Sequence, residues 1–248
     1  MVVAVVLLAQ TVGSAQTSRP LPDSQQFLDA VRENLAKSQE MQKQFAYRER
    51  RTDMDFNPFG HIGTGGTRMY EITPASDGLA VSRRLLEKDG KPVSGAPVER
   101  IERRSSRNRS MVDDVAATLD VTLDRRDMLD GREAIVLKFK PKADANPQTR
   151  EGRIARSFKG DIWVDEESKE VAKIDATAID DISFGYGLLA KMNEGSSVTV
   201  RRQPVEGHVW LPVSVRFAGE GRALLLRKLV VNFVVDWFDY RRVATASR

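Results

Sequence analysis

Three pairs of adjacent carboxylates stand out: Asp113-Asp114, Glu166-Glu167 and Asp180-Asp181. General acid–base catalysis needs two carboxylates that converge across a cleft, in environments that push their pKa values apart. Neighbours in sequence point away from each other on a strand or a helix, so these pairs read as solvated turn or cap residues. His61 sits in the glycine-rich stretch Gly60–Gly66 and His208 follows Gly207 at a turn; neither has a second histidine at metal-ligand spacing. The glycine-rich stretch leads into a strand, whereas a phosphate cradle needs a helix N-terminus behind it. The chain has no cysteine, which removes thiol catalysis, disulfides, iron–sulfur clusters and cysteine–zinc sites together. Nucleophile-elbow and phosphate-loop motifs are missing as well. The sequence therefore predicts no catalytic residue, no metal, no cofactor and no enzyme.

Two groups of residues are suited to binding instead. Arg100, Arg103, Arg104 and Arg107 fall at i, i+3, i+4 and i+7, one face of a helix, in a stretch with five arginines and two glutamates (Val98–Ser110). They read either as a solvated face or as a contact for an anionic membrane surface or an acidic envelope protein. The stretch has no aromatic residue to stack on a base, which argues against nucleic acid. The second group is apolar. Phe184, Tyr186, Leu188 and Leu189 crowd the segment Asp180–Asn193, where Gly185 and Gly187 interrupt any regular period. This segment is either an irregular core strand or the lip of a cavity whose side chains touch a bound tail. Leu35 and Phe233, on apolar faces elsewhere, join the candidate ligand contacts.

The elements that position these residues follow from periodicity. Asp23-Ser24 caps a helix over about 24–44, on which Phe27, Val31 and Leu35 recur every fourth residue and Met41 extends the stripe. A second helix is expected from about Val98 to Leu119, basic in its first half and apolar in its second through Met111, Val112, Val115 and Leu119. Strands are expected at Phe45–Phe56, Thr67–Thr73, Leu79–Glu87, Val121–Asp124, Glu133–Lys140, Asp161–Asp165, Glu170–Ile179, Ser197–Val205, His208–Ala218 and Arg222–Tyr240. Asn57–Thr67 and Pro141–Arg150 read as loops. Asp89-Gly90 and Asp130-Gly131 supply the positive φ that tight hairpin turns require. In Glu133–Lys140, Ile135, Leu137 and Phe139 alternate with Val136, Lys138 and Lys140, a half-buried pattern. Short turns between successive strands imply an antiparallel meander.

The N-terminal run Val2–Ala9 is apolar and uncharged, far short of the roughly 20 residues that span a bilayer. Gly13-Ser14-Ala15 follows. This is the pattern of a secretory signal over residues 1–15, cleaved before Gln16. No cysteine follows it, so an exported, soluble monomer without a lipid anchor is expected. The 248 residues carry a net charge of +4, with 41% hydrophobic and 30% charged side chains, a composition that folds around a core and is not that of a disordered tail.

One set of motifs has a family look. Gly160-Asp161-Ile162-Trp163-Val164-Asp165 followed by Glu170-Val171-Ala172-Lys173-Ile174, the preceding Asp130-Gly131-Arg132-Glu133-Ala134-Ile135-Val136-Leu137 and the later Trp210-Leu211-Pro212 resemble, in order and spacing, strands of the LolA/LolB-like superfamily of outer-membrane lipoprotein-sorting proteins. The match covers mainly residues 120–240. The resemblance implies a mainly β protein with helices (α+β): an open antiparallel β-barrel or half-barrel of about ten strands, covered by two or three helices, as a single domain over 16–248. It implies a periplasmic, non-catalytic carrier or binding protein for lipid or lipoprotein acyl chains or another apolar ligand. The alternative is an envelope interaction or sensor module with a filled core. An apolar cavity of several hundred Å3 favours the first and a solid core the second.

Overall fold

The computed structural model describes residues 19–56, 64–75, 80–102, 108–184, 190–223 and 227–243. The signal segment, His61, Arg103, Arg104, Arg107, Tyr186, Leu188 and Leu189 lie outside the described residues. The chain begins with α1 (Ser24–Gln42), whose N-cap Asp23 accepts a hydrogen bond from the Gln26 amide at 2.8 Å. Five strands follow: β1 (Phe45–Phe56), β2 (Thr64–Pro74), β3 (Ala80–Lys88), β4 (Lys91–Pro92) and β5 (Val98–Glu102). Helix α2 (Asn108–Thr118) leads into β6 (Leu119–Leu129) and β7 (Arg132–Pro141), and the short α3 (Arg150–Ala155) into β8 (Phe158–Asp165) and β9 (Val171–Ala178). The remainder is β10 (Ile182–Phe184), β11 (Ala190–Met192), β12 (Ser197–Val205), β13 (Val209–Ala223) and β14 (Arg227–Arg242).

All fourteen strands belong to one antiparallel sheet, with eleven in the order β4-β3-β2-β1-β14-β13-β12-β9-β8-β7-β6. That exceeds the ten or so expected. The surplus is the small β10–β11 hairpin, which pairs onto β13, and the short β4 and β5, which share the outer edge of β3. Laid flat, eleven strands would set the two sheet edges about 48 Å apart. The chain passes from one edge, β5, to the other, β6, through residues 103–118. Even if residues 103–107 were stretched to their limit, they and the eleven-residue helix could reach only about 40 Å, so the sheet curls. Its first and last path strands, β4 and β6, do not pair with each other, and the half-barrel stays open.

One expected element is corrected. Residues 98–102 are not helical: Val98–Glu102 is the strand β5, with Arg100 opposite Ser82 of β3. Among the described residues the helix spans Asn108–Thr118. The arginine spacing that suggested a helical face counts for less than the free edge of β3, which offers β5 a ladder of backbone hydrogen bonds. The Asp-Gly turns stand as expected: Asp89 and Gly90 have φ 51° and 75°, and Asp130 and Gly131 have 51° and 79°, the two positive angles of a type I′ turn.

Register shows what faces inward. A row through paired residues runs Leu123, Leu137, Ile162, Ile174, Val200, Val215 and Val235, from β6 across to β14. It continues on β1 and β2 as Arg51 and Arg68. Along this row the inner face is aliphatic from β6 to β14 and charged on β1 and β2. On the outer face Val136 is fully buried, contrary to the half-buried pattern expected of β7. Its neighbour across β8 is Trp163, whose ring lies beneath the Lys173 ammonium at 4.3 Å and whose Nε1 donates to Asp127 at 3.1 Å. A large aromatic next door covers what alternation alone would leave in water.

Candidate ligand cavity

Helix α1 crosses the strands on the inner face, and each part of it has its own anchor. Phe27 and Val31 pack on Ile135, Leu137, Val164 and Val171. Asn34 donates to the Ser168 carbonyl at 2.8 Å. Ser38, buried, donates to Glu170 Oε1 at 2.5 Å, and Met41 packs against Phe45, Val209 and Leu211. Helix α2 touches α1 on one side and α3 on the other. Its Val112 is buried and Val115 packs against the larger core cluster, so its apolar second half docks on the core as the sequence predicts.

The α2 position is fixed by a carboxylate that the sequence reading assigned to solvent. Asp114 accepts from the Gln148 amide at 3.0 Å, the Thr149 amide at 2.8 Å and the Thr149 hydroxyl at 2.6 Å. Thr149 Oγ in turn accepts from the Gly152 amide at 2.9 Å, capping α3. These donors, that of Gln148 foremost, hold the Asp114 carboxyl below its ordinary range. Glu166 is likewise no free turn residue: Arg126 grips it with two nitrogens, at 2.8 and 2.9 Å, and also donates to the Arg19 and Pro20 carbonyls. Arg126 thereby pins the lead-in to α1 against the sheet.

Between α1, α2 and the sheet lies a cavity of about 440 Å3. Leu28, Val31 and Leu35 form its α1 wall and Met111, Val112, Val115 and Ala116 its α2 wall. Leu119, Val121, Leu137, Ile162 and Val171 are its floor. Polar groups at its boundary are Arg32, Gln39, Asp120 and Lys142. The lining holds no serine, threonine, tyrosine, cysteine or histidine, and none of the described residues forms a cluster able to hold a metal ion. What this arrangement can do is shelter an apolar chain from water, at about 0.8 kcal/mol per methylene buried.

Of the residues singled out in the sequence, the structure sets Leu35 on the cavity wall. Phe233 lies on the inner face but away from the cavity: its ring stacks on Phe217 at 5.5 Å and is covered by the Arg51 guanidinium at 4.4 Å. Arg51 and Arg68 both pair with the buried Asp53, at 2.8 and 3.3 Å. Phe184 occupies β10, opposite Ala190 in the short hairpin; Ile182 and Met192, two further positions of that hairpin, are buried in the core. Arg100 is on the edge strand β5, and His208 is an exposed residue of the β12–β13 turn.

Sequence reasoning missed the buried triad Ser38, Glu170 and Arg202. Arg202 donates to Glu170 Oε2 at 3.1 Å, to the Val171 carbonyl at 3.0 Å and to the Trp210 carbonyl at 2.8 Å. Burial pushes the Glu170 carboxyl up, against the pull of Ser38 and Arg202. Ser38 was findable: it stands seven residues after Val31, on the stripe that the helix buries.

No family model and no curated protein matches this chain. Several solved structures are similar to it at low identity. A DUF1329 family protein from Desulfovibrio piger is 14% identical, with a TM-score of 0.39, over 88% of this chain and 94% of that one. A LolA superfamily protein from Nitrosomonas europaea is 11% identical, with a TM-score of 0.38, over the same shares of each chain (88% and 94%). A putative outer-membrane lipoprotein-sorting protein domain from Vibrio parahaemolyticus is 10% identical, with a TM-score of 0.42, over 91% and 95%. Ligand and role follow from this protein's own residues.

Proposed function

We propose that the protein is a non-catalytic carrier or binding protein for an apolar chain, the acyl tail of a lipid or lipoprotein, taken up between α1, α2 and the inner face of the sheet. The observation that carries this reading is the 440 Å3 cavity with aliphatic walls and floor, of the size and composition of small-molecule sites. The sequence pattern of a cleaved signal adds export to the periplasm and a single domain from residue 16 onward, and no helix among the described residues is long and apolar enough to cross a membrane. Native mass spectrometry of protein purified from its own envelope tests the reading. Bound lipid should be released on denaturation, and Val115→Trp, which fills the cavity, should be recovered empty. Wild-type protein that is always empty and fails to bind an added acyl chain overturns it.

A second reading, an envelope interaction module, is favoured by a different observation. Val98 and Ile101 on the edge strand β5 are 60% and 42% exposed, and an edge strand offers unpaired backbone groups to a partner's strand. Replacing Ile101 by Lys should abolish partner capture in that case and leave lipid content unchanged.

A further inference from the structure

We propose that the cavity selects one single-chain amphiphile with an anionic head and a hydrogen-bond donor, a hydroxyl or amide N–H, on the part that enters. The inference rests on the reading that the cavity holds an acyl chain and adds which kind.

Three observations carry it. The first is size. The α1 wall runs from Leu28 to Gln39, about 16 Å along the helix axis at 1.5 Å per residue. That is the extended length of one chain of roughly a dozen carbons, given carbon–carbon bonds near 1.5 Å. A volume of 440 Å3 suits one such tail and not the several tails of a lipoprotein anchor.

The second is the charge at the boundary. Arg32 contributes a guanidinium from α1, and Lys142 an ammonium that donates to the Ala117 carbonyl at 3.0 Å at the C-terminus of α2. The acidic neighbours are engaged already: Asp29 faces Arg32 at 3.4 Å and Asp120 faces Lys140 at 3.8 Å, both solvent-exposed pairs of the kind that contributes little. A carboxylate or phosphate head meets Lys142, and Arg32 in competition with its weak, exposed partner Asp29.

The third is an unmet acceptor. Gln39 Oε1 is buried at the cavity wall and has no hydrogen-bond partner. A buried polar atom without a partner costs free energy until something donates to it. A purely hydrocarbon tail cannot do so, whereas a hydroxyl or amide N–H on the ligand can once the Gln39 side chain turns its oxygen toward the cavity.

The test is calorimetric titration of the purified chain, stripped of lipid, with dodecanol, dodecanoate, dodecyltrimethylammonium and a series of dodecanoates bearing one hydroxyl at successive positions. Dodecanoate should bind more tightly than the cationic analogue, and the double variant Arg32→Gln/Lys142→Gln should erase the difference. At one hydroxyl position affinity should exceed that of dodecanoate by about three- to tenfold, the value of one net hydrogen bond. Gln39→Leu, which removes the unmet oxygen and so should fold at least as stably, should reverse that preference and leave dodecanoate binding intact. The inference is overturned if dodecanol, dodecanoate and the cation bind alike, or if every hydroxyl weakens binding to wild type and Gln39→Leu equally. If none of these probes binds, the acyl-chain reading itself fails.

Discussion

The Ser38 hydroxyl, on α1, donates to Glu170 at the mouth of β9 across 132 residues of sequence. This contact and Arg202 are what make a buried carboxylate tolerable there, and they tie the wall of the cavity to its floor. Ser38→Ala should lower stability by about 1–3 kcal/mol, the cost of leaving a buried acceptor short of a donor. Arg202→Met should cost more, roughly 3–5 kcal/mol, because it strands a buried charge. Urea titrations of both variants check the order, and Arg202→Met proving milder than Ser38→Ala would falsify the assignment of Glu170 as the ionised partner.

Phe27 and Leu35 share a helical stripe but not a role. Phe27 is 2% exposed in the core, while Leu35 is only partly buried and faces the cavity. Phe27→Ala should cost about 3–5 kcal/mol, and Leu35→Ala about 1 kcal/mol or less, since it enlarges a space that already exists. The Leu35 change should show up in acyl-chain affinity instead, read by titration beside a melting curve.

The two cases also mark how far the sequence can be read. The spacing of Phe27, Val31 and Leu35 predicted α1 almost to its ends, because a helix that covers a sheet must carry its apolar residues on one stripe. The Asp-Gly turns were legible because positive φ narrows the choice of residue. Strand β5 was not: in Val98–Glu102 the arginine and glutamate spacing fits a helix as well as a strand, and pairing with β3, some fifteen residues earlier, decides. Helix α3 was not anticipated, because its six residues have too little length for a period, although Thr149 is an ordinary N-cap. The cavity itself could be anticipated only through Leu35. Its remaining walls come from elements that meet only after the sheet curls, and the partners of Glu170 are 132 and 32 residues away.

Gly152 offers a prediction whose sign departs from the usual rule. Alanine in place of a helical glycine ordinarily stabilises by about 0.5–1 kcal/mol. Here an added Cβ would lie 2.2 Å from Asp114 Oδ2 and 2.8 Å from the Pro147 Cβ. Gly152→Ala should therefore destabilise by displacing the carboxylate that holds α2 to α3. The double variant Asp114→Ala/Gly152→Ala should be less sensitive to the added methyl than the single change is, a coupling that a double-mutant cycle on melting temperatures measures directly.

The same carboxylate sets an expected response to acid. Asp114 is held below its ordinary pKa of 3.8 by the Gln148 amide, the Thr149 hydroxyl and the Thr149 amide. Its folded pKa is lower than its unfolded one, so the unfolded chain binds the proton more readily, and stability falls where that difference is titrated. The contribution is complete above about pH 4–5 and is lost as the pH falls through the folded value. Asp114→Asn cannot ionise, so its melting temperature should be lower than that of wild type near neutrality and should decline less steeply on acidification. The two curves should converge once the pH has fallen below the folded pKa of Asp114, with the α2 wall of the cavity loosening first. Hydrogen exchange across residues 108–118 follows that step, and equally steep acid limbs for the two proteins would show that Asp114 is not the group responsible.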